Sequence, residues 1–100
     1  MGEVRLSKLA QDDLVEIWRR IAADNGPANA DRWIDRIEAR LRQLAVFPES
    51  GPARSDIAPA ARILVIARWL VLYQTETAGV RIIRIVDASR NLGEIDISDE

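Results

Sequence analysis

Two hydrophobic periods divide this chain, and the switch between them limits its fold more than any other feature. Ala10, Leu14, Ile17, Trp18 and Ile21 recur at three- and four-residue spacing, the pattern of a helix that buries one face. Ala30, Trp33, Ile34, Ile37, Leu41 and Leu44 repeat it. Between the two runs stands Asp24-Asn25-Gly26-Pro27, where glycine can take a left-handed conformation and proline suits a first helical turn. So short a link predicts a helical hairpin. Ser7 is placed to cap the first helix, and Phe47-Pro48 ends the second. The loop Glu49-Ser50-Gly51-Pro52-Ala53-Arg54 follows. From Arg62 the period changes. Ile63–Ile66, Trp69–Tyr73 and Val80–Val86 are β-branched and aromatic runs, too short for helices, with Thr75–Gly79 as a hairpin loop between the last two. Val4-Arg5-Leu6 alternates as a short first strand. The expected fold is α+β, in the order β-α-α-β-β-β, with the helical hairpin packed on a small antiparallel sheet. One hundred residues make one domain, 1–100, whose acidic end over 93–100 is expected to fray.

The later strands are apolar on both faces, so both sides of the sheet should be covered. One side can take the helices. Nothing in the sequence offers itself for the other, which predicts a protein partner, or else self-association or a twisted sheet that covers itself. No apolar run reaches the roughly 20 residues of a membrane helix, and no signal peptide is visible at the start. With no cysteine as well, the expectation is a cytoplasmic protein with no membrane partner.

Charge is uneven along the chain. Residues 1–60 carry nine bases against ten acids, and residues 61–90 are +3 through Arg62, Arg68, Arg81, Arg84 and Arg90 against Glu76 and Asp87. The last ten residues are −4. The net charge of −2 argues against a general nucleic-acid binder. All the basic residues except Lys8 are arginine, which suits bidentate anions and aromatic faces. Arg32, Arg36 and Arg40 form a stripe along the second helix, either a solvated side or the edge of a groove for an acidic partner. Asp12, Asp13 and Glu16 should lie on a solvated face of the first helix.

Without histidine or cysteine, the familiar nucleophile–base arrangements are missing, and neither metal nor cofactor is expected. The glycines do not form a phosphate loop. Tyr73 could serve as an acid or a stacking ring, although an aromatic within a strand is more often core.

Taken in order, several segments resemble the ParE/RelE toxin family over about residues 3–92. Leu6-Ser7 leading into Ala10, Asp13-Leu14, Ile17-Trp18 and Ile21 is similar to its opening helix. Leu44-Ala45-Val46-Phe47-Pro48 with Gly51 resembles its helix end. Arg62, Arg68-Trp69 and Tyr73, then Val80–Val86 and Arg90-Asn91-Leu92, resemble its strands. Ala67 stands where glycine is frequent, so that turn is expected to be wider or differently shaped. Asp87-Ala88-Ser89 replaces a segment that usually contains histidine.

The resemblance implies the toxin of a type II toxin–antitoxin system, neutralised by a ParD-type antitoxin and acting on DNA gyrase by binding rather than as an enzyme. The alternative it implies is a RelE-like, ribosome-dependent mRNA endoribonuclease, for which a proton-transfer base is hard to find here. Arg90, Arg84, Arg68, Arg62 and Tyr73 are the candidate toxicity residues. Trp69, Arg62, Arg68, Arg84, Arg32, Arg36 and Arg40 are the candidate antitoxin contacts. No direct sequence-specific nucleic-acid binding is expected.

Overall fold

Ser7 is the residue at which strand becomes helix. In the computed structural model, which describes residues 2–89, strand β1 (Glu3–Leu6) ends there and helix α1 (Lys8–Asn25) begins. Its hydroxyl accepts from the Ala10 N–H at 2.9 Å and donates to the Ile83 carbonyl at 2.7 Å. One buried side chain thus caps the helix and pins it to a strand far along the sequence.

Helix α2 (Pro27–Val46) follows after Gly26 alone. Gly26 sits at φ 90°, a conformation that strains any residue with a β-carbon. Its N–H closes α1 on Ala22 O, and its carbonyl accepts the N–H of Ala30. The helices pack on each other, and Trp18 Nε1 donates to Asp31 Oδ1 at 2.7 Å across the junction.

Strands β2 (Ala61–Ile66), β3 (Trp69–Glu76) and β4 (Gly79–Asp87) complete the expected order. The sheet runs β1-β4-β3-β2, which puts the last strand in its centre. Strands β2, β3 and β4 are antiparallel, but β1 lies parallel to β4, so the sheet is mixed rather than wholly antiparallel. The β3–β4 turn is also tighter than the sequence suggests. Glu76 pairs with Gly79, which leaves only Thr77-Ala78 between strands.

The turn at Ala67 is a correction of the same kind. Ile66 pairs with Trp69, so Ala67-Arg68 is a two-residue connection and not a wide one. Ala67 meets the demand by adopting φ 53°. That conformation costs an L-residue about 1 kcal/mol. Ala67→Gly should therefore stabilise the chain by roughly 0.5–1 kcal/mol, read as a higher denaturation midpoint in urea at unchanged slope. A lower midpoint would show that the turn tolerates its alanine without strain.

The main core joins Ala10 and Ile17 of α1 with Ile37, Leu41 and Leu44 of α2, over Val71, Tyr73, Ile82 and Ile85 of the sheet. Each large side chain buried there contributes about 1.5–3 kcal/mol. The opposite face is not the bare surface expected from the sequence. Ala61, Ile63, Leu72 and Ile83 are buried in a second, smaller cluster, against which Ile57 and Ala58 pack. The α2–β2 loop is what brings them there. Ala53 bridges to Arg62, and the Ile63 N–H reaches Pro52 O.

Among the described residues, no helix is long and apolar enough to cross a membrane.

Candidate functional site

The candidate arginines and aromatics fall into three groups, and two of them serve the fold. Arg84 is the clearest case. Strand β1 stops at Leu6, and further along the same edge of β4 the Ile85 N–H donates to Asp13 Oδ2 at 2.9 Å. Arg84 grips the same carboxylate from Nε at 2.8 Å and from Nη2 at 2.9 Å. The two side chains are 11% and 14% exposed. Asp13 is therefore not on a solvated helix face as expected; it completes an open sheet edge. Its neighbours do face water, with Asp12 paired to Lys8 and Glu16 to Arg20. The three acids point to three different cations, so they do not converge. A register shift at Leu72/Tyr73 makes Ile83 an extra residue on β4, just before Arg84.

Arg62 and Tyr73 form the second group. They are register partners across β2 and β3, and both reach the turn after α2. The Tyr73 hydroxyl donates to Pro48 O at 2.8 Å and accepts the Gly51 N–H at 2.9 Å. Arg62 Nη1 donates to Gly51 O at 2.7 Å and more weakly to Glu49 O at 3.4 Å. Tyr73 is fully buried, which places it in the core instead of on a contact surface. Gly51 is required by close approach, since a β-carbon there would run into the Ile63 carbonyl.

The third group faces outward. Trp69, at the start of β3, meets Trp33 of α2 edge to face, with ring centres 5.3 Å apart and planes at 69°. The Arg36 guanidinium lies 4.3 Å above the Trp33 ring, and that of Arg68 lies 6.0 Å from Trp69. Trp69 itself is buried, so it can support a surface from below more readily than touch a partner. Arg32, Arg36 and Arg40 are all exposed. Arg32 makes a long bond to Asn29 and Arg40 bonds Gln43, but none of the three has a carboxylate partner among the described residues. At 1.5 Å rise per residue the stripe runs about 12 Å.

Arg68, also exposed, is paired with Asp87 through Nε and Nη2 at 3.1 and 2.8 Å. The Asp87 carboxyl is held down at about 2, first by the Ser89 backbone N–H, then by the Ser89 side chain and the Arg68 guanidinium. Beside this end of the molecule a groove of about 460 Å³ opens between α1 and the strands. Its floor includes Ile17, Ile21, Trp69 and Ile85, and Arg20, Asp24 and Arg68 stand at its rim. Arg90 lies outside the described residues, as does the acidic end.

Sequence reasoning passed over Trp33 and Asp87 as site residues. The Trp33/Arg36 spacing of three on one helix is a legible cue, because residues so spaced are neighbours. The Asp87–Arg68 pair depends on strand register and leaves no such trace.

The model of the ParE toxin of type II toxin–antitoxin systems, of the parDE type, matches residues 4–92. The chain belongs to the ParE toxin family. It is 35% identical over 92 residues to Toxin ParE3 of Caulobacter vibrioides, covering 92% of each chain. It also shares its fold with a chain of the chromosomal ParDE toxin–antitoxin system from P. aeruginosa. There the TM-score is 0.75 at 20% identity, over 87% of this chain and 96% of that one. This ParE-type toxin accordingly belongs to a toxin–antitoxin system, which implies an antitoxin as partner.

Proposed function

We propose that this toxin inhibits DNA gyrase by binding it, and that a ParD-type antitoxin neutralises it. The observation that carries the first half is the internal commitment of Tyr73 and Arg84. These two candidates for polarising a substrate are instead holding a turn and an edge of the fold. A binding mechanism asks only for a rigid surface, which such contacts supply. Support for the antitoxin's seat comes from the groove beside α1 and from the Arg32/Arg36/Arg40 stripe, which has no carboxylate partner among the described residues. An amphipathic segment, disordered when free, would bury its apolar side chains in one and set its carboxylates against the other.

Expression of the chain from a tight promoter, with and without its antitoxin, tests both halves. Double-strand DNA breaks and filamentation with translation still running are the expected result, together with rescue by the antitoxin. Early loss of translation with cut messenger RNA would replace the gyrase reading by ribosome-dependent cleavage.

A further inference from the structure

The end of α2 exposes two adjacent apolar side chains. Val46 is 58% and Phe47 61% exposed, whereas every other aromatic residue of the chain is buried or half-buried. Isolated exposed apolar residues are common on protein surfaces and call for no explanation. Here the backbone beneath them is unusually constrained. The Phe47 N–H closes the helix on Gln43 O, and Phe47 O accepts both the N–H and the hydroxyl of Ser50, at 3.1 and 2.6 Å. Tyr73 and Arg62 then tie Pro48, Glu49 and Gly51 to the sheet. The ring is thus presented from a turn that two side chains of the sheet hold from below.

We infer that Phe47 is an anchor which inserts into an apolar pocket, edged by carboxylates, on the folded protein this toxin acts upon. A ring carried on a backbone that is already fixed fits a pocket that already exists, because the ordering cost of that backbone has been met in the free chain. A disordered segment wraps grooves, and gains nothing from such an anchor. The carboxylate rim follows from the cation beside it. Arg42, one helical turn before Val46, is exposed and has no ion-pair partner among the described residues. Aromatic and arginine side chains together carry most of the energy at protein interfaces. The inference rests on the reading that the toxin acts by binding a protein, but it does not require that protein to be gyrase.

The test compares Phe47→Ala with Val65→Ala in the full chain, because Val65 is a similarly exposed apolar residue, at 57%, on the edge strand β2. Growth arrest after induction and co-purification with the antitoxin are measured for each, with thermal unfolding as the check on folding. Phe47→Ala should need about 30-fold more protein for the same arrest while retaining the antitoxin, and Val65→Ala should behave as the unaltered chain. Undiminished arrest by Phe47→Ala overturns the inference. So does loss of antitoxin capture with arrest intact, which would make Phe47 part of the neutralising surface. Equal loss of both overturns it too, as the sign of a shared surface or a damaged fold. If the unaltered chain stops translation before any DNA damage, the gyrase reading fails while the Phe47 comparison still stands. If the unaltered chain arrests nothing, both fail.

Discussion

Replacing Asp13 by alanine is expected to lower the melting temperature by on the order of 15 °C. The carboxylate accepts from the Arg84 guanidinium and from the Ile85 N–H in a nearly enclosed setting. Removing one partner of such a pair strips the other of compensation for its lost hydration, and costs about 3 kcal/mol. For a domain of this size that is a large share of the total stability. Asp13→Asn should lose less, since its amide oxygen can still accept from Ile85. Thermal unfolding followed by circular dichroism distinguishes the variants. A loss below about 1 kcal/mol would mean that water screens the pair as it does at a surface.

Tyr73→Phe is expected to cost about 1–3 kcal/mol, although it removes a single oxygen. The reason lies on the other side of the contact. The Gly51 N–H is buried and keeps no acceptor once the hydroxyl is gone, and Pro48 O loses its donor. Tyr73→Ala adds a cavity at a fully buried position and should cost a further several kcal/mol. Amide exchange at Gly51 gives the decisive reading, since loss of the hydroxyl should speed it well beyond the change at the core strands. Unchanged exchange at Gly51 would show that Arg62 alone holds the turn.

Much of the architecture was legible because its signals are local. Ser7 as a cap, Gly26-Pro27 as a break and the switch of period at Arg62 each involve residues within a few positions of one another. What escaped depends on register between distant segments. The parallel pairing of β1 with β4 joins Glu3 to Gly79, and the Asp13–Arg84 pair spans 71 positions. A helical wheel puts Asp13 outside the apolar stripe, and cannot know that the neighbouring strand, whose last pair is Leu6 with Ile82, stops short of Ile85. The cover on the second face was hidden for a similar reason. Ile57 and Ala58 sit in a segment rich in proline and small residues, where neither hydrophobic period exists to announce a core contribution. At the site, composition pointed to arginine but could not separate those with structural work from those without. Arg62 and Arg84 hold the fold, while Arg32, Arg36 and Arg40 have no carboxylate partner among the described residues, and only the positions of carbonyls and carboxylates around them tell the two apart.

The central place of β4 has a consequence for the making of the molecule. Ribosomes deliver the chain from its N-terminus at about 5–20 residues each second, and β4 is the final strand described. Until it emerges, β1 has no neighbour in the sheet, β3 has one instead of two, and Asp13 and Ser7 lack the backbone groups they hold. A chain interrupted before Gly79 is left with a helical pair and a two-stranded ribbon, well short of a sheet that could stand alone. The fold is therefore delivered nearly all at once, when β4 emerges, and a copy interrupted before it is a different object from a weakened one.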